Sequence, residues 1–298
     1  MKLTNSYHKF LNTFSQSKPE YIFHTIHQDE CKLVYGKHID EILPEYCEKW
    51  DINIIMFILL GEASCNPSRS TYNKLANLGI SLCFHWPDTS PGWAVDTMYS
   101  LGDIADLQVS WDVPKSQFHT TLPELSNYLS LWTPLDQRLC RFKSYENKSK
   151  NVAFYGRPFL ERRNQLEYIK SKLNNFHFGG GQREESLSPE QYADSVADTK
   201  IILNFPAHGS GFSQLKGRVL ETVACGSLLL ELKNDSTSSL FKPGEDYVEC
   251  SSVDDMITNA AYYSNNPDEA KRIALNGNKK YLEKYTGNHY WGKIFENL

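Results

Sequence analysis

The chain has 298 residues, of which 40% are hydrophobic and 22% charged, and its 31 Lys+Arg against 36 Asp+Glu give a formal charge of -5. This is enough apolar material for two domains or one large one, and it excludes a disordered chain. The mild acidity excludes a general phosphate-tracking surface for nucleic acid, so any anion site must be local.

The N-terminus (MKLTNSYHKFLNTFSQSKPE) has no sustained apolar core and no small-residue cleavage site, so it does not read as a signal peptide. Three strands are expected in the first half, over Ile52 to Leu60 (INIIMFILL), Ile80 to His85 and Asp106 to Ser110. The first is the longest strongly apolar run and falls well short of the ~20 residues that cross a bilayer. A cytoplasmic protein without a transmembrane helix is the expectation. Between the first two strands the pattern predicts a helix from Ser70, as N-cap, to Gly79, as terminator. Leu131 to Phe142 breaks the pattern, and the polar Lys143 to Lys150 reads as a surface linker, which sets a domain boundary near residue 148.

The alternation then restarts. Asn151 to Tyr155 reads as a strand, Phe159 to Leu173 as a helix, Phe176 to Phe178 as a strand leading into Gly179-Gly180-Gly181, and Pro189 to Val196 as a helix. Lys200 to Phe205 is a strand. A Gly-rich loop (AHGSGFS), a helix ending at Ala224, a strand from Ser227 to Glu231 and helices from Val253 onward complete the chain. The fold class is α/β, with two Rossmann-like domains as the economical reading. Seven cysteines, never spaced as CxxC, suggest neither a disulfide framework nor a zinc site, and read as reduced, mostly buried thiols.

In open α/β sheets ligands gather where strand ends feed helix N-termini. The segment SQLKGRVLETVACG lies at such a place, with Ser213 as the expected N-cap. Leu215, Val219, Leu220 and Val223 form its core stripe, while Gln214, Arg218 and Glu221 share a polar face. Lys216 near the positive helix end makes sense if an anion such as a diphosphate binds there. The two acceptor oxygens of Glu221 suit a vicinal diol such as ribose. A surface salt bridge between Arg218 and Glu221 accounts for the same residues equally well.

The ordered elements KIILNF, KGRVLETVACGSLLLE, LFKPGEDYVEC and NNPDEAKRIALNGNKKYLEKYT resemble the C-terminal domain of group 1 glycosyltransferases, most of all the CgeB (spore-maturation-protein-like) branch. The resemblance runs from Asn151 to the C-terminus. It implies the GT-B architecture: two Rossmann-like domains facing across a cleft. Residues 1–148 would be a reduced acceptor-side domain, 149–282 the nucleotide-sugar-binding domain, and 283–298 a helix packing back on the first. It also implies donor-binding roles for Gly156 and Arg157 after the first strand, Gly180 near the base, Lys216 and Arg157 on the diphosphate, Arg218 of the RxxE motif, and Glu221 on the ribose. Backbone N–H groups of Gly209 to Ser213, Gly211 and Phe212 among them, would contact sugar or phosphate. Arg162 and Arg163 read better as a solvated helix face, and Tyr192 as core.

One departure matters. Larger retaining families carry paired glutamates on a spacing that would put the first at Ser213, so a carboxylate that often contacts the transferred sugar is missing. In the first half, His85 and Asp88 of HWPD stand at a strand end where related enzymes place a cleft-facing base. They are the catalytic candidates, alongside a structural reading as strand-end and turn residues; Asp112 and the loop residue His208 are lesser ones. The reading is a glycosyltransferase that needs no metal and no cofactor beyond a nucleotide-sugar co-substrate. UDP-sugar is the favoured donor, UDP-glucose foremost, with retention of configuration and an unidentified sugar, lipid or protein acceptor. A nucleotide-sugar epimerase or a catalytically silent binding protein are the alternatives, and no GxGxxG follows any expected strand to support a dehydrogenase.

Overall fold

The computed structural model describes residues 5–27, 30–59, 66–87, 89, 92–112, 125–159, 161–180, 187–207 and 213–298. They form two compact units. The N-terminal unit comprises Pro19–Trp132 and Gly292–Leu298, and the C-terminal unit comprises Met1–Lys18 and Thr133–Trp291. The first helix, α1 (Asn5–Ser17), thus belongs to the C-terminal unit.

In the N-terminal unit α2 (Cys31–Tyr35) and α3 (Ile39–Lys49) precede β1 (Ile54–Ile58), α4 (Arg69–Asn77), β2 (Ser81–Trp86), α5 (Gly92–Ser100), β3 (Leu107–Ser110) and β4 (Tyr128–Ser130). The four strands lie in the order β1-β2-β3-β4, parallel throughout. Leu75, Leu82, Phe84, Trp86 and Met98 fill the core beneath them. The expected α4 begins earlier than its pattern suggests. Ser68, not Ser70, is the N-cap, its side chain accepting from the Thr71 N–H. Asp40 fixes that choice by accepting from the Ser68 N–H at 2.8 Å. The helix stops before Gly79, whose φ of +76° suits only glycine.

The C-terminal unit continues with β5 (Lys150–Tyr155), α6 (Glu161–Lys172), β6 (Phe176–Gly179), α7 (Pro189–Ala197), β7 (Thr199–Asn204), α8 (Gly217–Ala224), β8 (Leu228–Leu232), α9 (Asp235–Leu240), β9 (Val248–Cys250), α10 (Val253–Asn265) and α11 (Pro267–Lys284). The last helix, α12 (Gly287–Phe295), belongs to this unit as far as Trp291. Its sheet is parallel in the order β6-β5-β7-β8-β9. α6 and α10 pack on one face, and α7 and α8 on the other with α11 against α8. Strand order reverses between β5 and β7, and such a switch point opens a crevice at the carboxyl ends of the strands.

The segment read as a surface linker is partly core. Tyr145 and Lys148 are buried. The Lys148 ammonium donates to the carbonyls of Ala197 (2.6 Å) and Cys225 (2.8 Å) and to Ser227 Oγ (3.0 Å), so its charge is spent on three fixed acceptors. The six described cysteines are buried thiols. Among the described residues no helix is long and apolar enough to cross a membrane.

Candidate functional site at the carboxyl ends of the C-terminal sheet

β5 delivers Gly156 to the switch point with φ of +149°, and a Cβ there would collide with Nη2 of Arg218. Gly180, after β6, has φ of +94°, and its Cβ would stand 3.0 Å from the Gly156 nitrogen. The two turns touch because Gly180 lacks a side chain, and Gly156 N–H donates to the Gly179 carbonyl at 2.9 Å, while the missing Gly156 side chain clears room for Arg218. Arg218 occupies the space so cleared. Its Nε donates to the Tyr155 carbonyl (2.7 Å), its Nη1 to Asn204 Oδ1 (2.6 Å), and its guanidinium carbon lies 4.4 Å from the centroid of the Phe154 ring. The salt bridge to Glu221 weighed from the sequence does not form the structure here, since Arg218 faces β5 and β7.

The start of α8 differs from expectation. Its N-cap is Lys216 and no side chain caps it. Ser213 is exposed and forms an antiparallel bridge with Ala207. Gln214 explains the delay: its N–H donates to the Pro206 carbonyl (3.1 Å) and its own carbonyl accepts from Asn234 Nδ2 (3.0 Å), which holds it extended. Lys216 Nζ donates to Gln214 Oε1 at 2.6 Å. Among the described residues, the N-cap side chain thus makes no capping hydrogen bond to the first-turn N–H groups, which stand at the positive end of the helix dipole.

One turn further on, Glu221 is buried, and its Oε2 accepts the hydroxyl proton of Tyr192 from α7. Tyr192, expected in the core, is only half-buried. Burial, then the Glu221 charge, hold its pKa well above the ordinary tyrosine value, so it remains a donor. Arg157 is exposed just past β5. Arg162 is not a solvated helix residue: it donates to the carbonyls of Arg157 (3.2 Å), Phe205 (3.3 Å) and Ala207 (3.3 Å), tying two loop starts together. Arg163 is exposed. Gly211, Phe212, His208 and Asp88 lie outside the described residues, as does Gly181.

Thus Gly156, Gly180, Arg218 and Lys216 come to one end of one sheet, with Glu221 one helical turn away. Sequence reasoning missed Asn204, Glu231 and Asn234, the polar residues beneath them. Asn204 and Glu231 are register partners, and Asn204 Nδ2 donates to Glu231 Oε1 at 2.7 Å. The available signal was a polar residue ending each of two otherwise apolar strands, KIILN and SLLLE.

In the N-terminal unit His85 has no exposed surface; its Nε2 lies 3.4 Å from Cys83 Sγ. Burial pushes its pKa down to about 3, so the imidazole is neutral at neutral pH. Asp112 is also buried and accepts from the Thr89 N–H at 3.2 Å and from its hydroxyl.

Residues 151–296 match a family model described as glycosyl transferase-like. Comparison with curated proteins gives no match. HepE of Anabaena, solved with UDP and glucose, superposes over 100% of this chain and 97% of its own, with a TM-score of 0.63 at 9% identity. A glycosyltransferase of Rickettsia africae superposes over 86% and 79% (TM-score 0.58, 11% identity). TarM of S. aureus superposes over 87% of this chain and 58% of its own length (TM-score 0.61, 11% identity), so the chain spans little more than half of TarM. The fold is GT-B. The family-model match is confined to the C-terminal half of the chain, and the superpositions show the fold.

Proposed function

We propose that the chain is a hexosyltransferase of the CgeB-like branch that works in the cytoplasm and takes its sugar from a nucleotide-sugar donor held by the C-terminal unit. A UDP-sugar is the favoured donor, UDP-glucose foremost, and HepE, which shares the fold, has been solved with UDP-glucose. The observation that carries the reading is the convergence, at the switch point, of the Gly156–Gly180 contact with the uncapped start of α8. Closely apposed glycine backbone and first-turn amides form a cradle for phosphate oxygens. Lys216, whose ammonium donates to Gln214 Oε1, and the exposed Arg157 add positive charge, and Arg218, fixed by Tyr155 and Asn204, adds another beside Gly156. Glu221, oriented by Tyr192, accepts from the ribose hydroxyls.

Transfer breaks the bond from the anomeric carbon to the diphosphate and forms one to the acceptor oxygen. The charge left on the diphosphate is met by Lys216, Arg157 and the α8 amides, without a metal. A retaining course, in which a phosphate oxygen takes the acceptor proton, fits an N-terminal unit whose His85 is enclosed and neutral.

Calorimetric titration with UDP, UDP-glucose, GDP and ADP should give saturable binding to one base. Glu221→Ala should weaken it about tenfold or more, the value of a hydrogen bond to a charged group. Failure of all four to bind overturns the donor site. Incubation with the bound donor and a panel of acceptors, followed by NMR of the anomeric configuration, tests transfer and its stereochemistry; a changed sugar without any acceptor would mark an epimerase instead.

A further inference from the structure

Glu231, at the carboxyl end of β8, has no exposed surface and no role in the reading above. Its Oε1 accepts twice, from Asn204 Nδ2 (2.7 Å) and from Asn234 Nδ2 (3.3 Å). Its Oε2 is buried without a hydrogen bond. Thr237 Oγ1 accepts from Asn234 Nδ2 at 3.1 Å, and its hydroxyl acts on the carboxyl in favour of the ionised form. With both amide donors on Oε1 and Oε2 enclosed without a hydrogen bond, a negative charge on this carboxyl is incompletely compensated, and burial penalises the ion.

The other charged or titratable groups around it come from three elements. Arg218 of α8 favours the ionised form. Tyr247, just before β9, and Cys250, within β9, feel its charge, and Glu249 of β9 is its register partner on the side away from Asn204. Asp235, at the start of α9, acts on Tyr247 as Glu231 does. Burial outweighs the lowering effects of Thr237, Asn234, Asn204 and Arg218 and pushes the carboxyl up to about 7, so both forms are populated near neutrality.

Both amide partners lead to the start of α8. Asn204 Oδ1 accepts from Arg218 Nη1 (2.6 Å), and Asn234 Nδ2 also donates to the carbonyl of Gln214, two residues before the N-cap Lys216. The cation and the backbone that open α8 are therefore both tied to one carboxyl.

We propose that Glu231 is a positioning residue for the donor phosphates, which acts through Asn204 and Asn234 on Arg218 and the Gln214–Lys216 segment, and that binding of a diphosphate beside Arg218 draws a proton onto Glu231. This rests on the donor reading of the α8 start. The cause is electrostatic. Arg218 supports the ionised carboxylate; a phosphate that offsets the charge of Arg218 removes that support, and the carboxyl takes up a proton. The complex then holds a proton that the free protein loses above pH about 7, so affinity is greatest below that pH and falls as pH rises through it.

UDP-glucose is the probe, because its diphosphate, esterified at both ends, does not titrate in this range. Calorimetry in buffers of different ionisation enthalpy should show proton uptake on binding to the wild-type protein, and affinity should fall about fivefold from pH 6 to pH 8. Glu231→Gln, which mimics the neutral acid, should bind as the wild type does at pH 6, without proton uptake and without the slope. Binding without proton uptake, or a slope that survives Glu231→Gln, overturns the proposal. Absence of UDP-glucose binding at every pH would instead sink the donor reading, and a ligand-free measurement then decides. In carbon-13 spectra of glutamate-labelled protein, the resonance missing from Glu231→Gln should titrate near pH 7 in the wild type and in Arg218→Lys, and higher in Arg218→Gln. Titration in the ordinary glutamate range, or no response to Arg218→Gln, overturns the coupling.

Discussion

Gly156 has φ of +149° and would drive a Cβ into the Arg218 guanidinium, so both the turn and the cation depend on the missing side chain. Gly156→Ala is expected to cost about 1–3 kcal/mol from backbone strain alone and to weaken donor binding through displacement of Arg218; urea unfolding and nucleotide titration read the two effects. Tyr192→Phe removes the hydroxyl that Glu221 accepts from. Hydrogen bonds to charged groups contribute about 1.5–3 kcal/mol, and a loss of that order in unfolding free energy is expected. If unfolding is unchanged, Tyr192 does not orient the carboxylate. At this scale the sequence was legible where chemistry follows residue type: Lys216, Arg218 and Glu221 do stand near one sheet end. It was not legible for direction. A helical wheel places Arg218 and Glu221 on one face, yet Arg218 is drawn to Tyr155 and Asn204 and Glu221 to Tyr192, because partners from β5, β7 and α7 compete for them.

Elements are positioned by groups outside their own sequence. Lys148 joins the ends of α7 and α8 to the residue before β8, by way of Ala197, Cys225 and Ser227. Burial lowers its pKa from 10.5 to about 8. The unfolded chain then keeps its proton over a range in which the folded protein has lost it, so this group makes stability rise with pH between about 8 and 10.5. Lys148→Met should abolish that rise and, by orphaning buried acceptors that cost ~1–3 kcal/mol each, destabilise the protein at pH 7. Denaturation of both proteins at several pH values checks both expectations. Periodicity found α7 and the end of α8 almost to the residue. The start of α8 escaped it because Pro206 and Asn234 hold Gln214 extended, and Asn234 lies on the far side of β8 in sequence.

At the scale of the whole chain, α1 lies far in sequence from the unit it completes. Trp291 donates from Nε1 to Thr13 Oγ1 (3.1 Å), and its ring is 4.7 Å from Phe10 and 4.9 Å from Phe14, centroid to centroid. Gln16 Nε2 also donates to Asp136 Oδ1 at 3.0 Å. Trp291→Ala should therefore cost about 3–5 kcal/mol, the usual loss for a buried aromatic. A fragment of residues 133–291 should melt below the full chain and recover stability when a peptide of residues 5–18 is added; indifference to the peptide would show that α1 is dispensable.

The sequence by itself determined the α/β class and the strand–helix alternation with a break before Asn151, since these follow from periodicity, composition and motif order along the chain. The tertiary structure alone decided that α1 belongs with the second half, that Lys148 is core, that Arg162 ties loops together, and that Asn204, Glu231 and Asn234 underlie the start of α8. Those outcomes depend on which buried polar group meets which partner across strands, and burial makes each unmet group costly. Local sequence carries no record of partners tens of residues away.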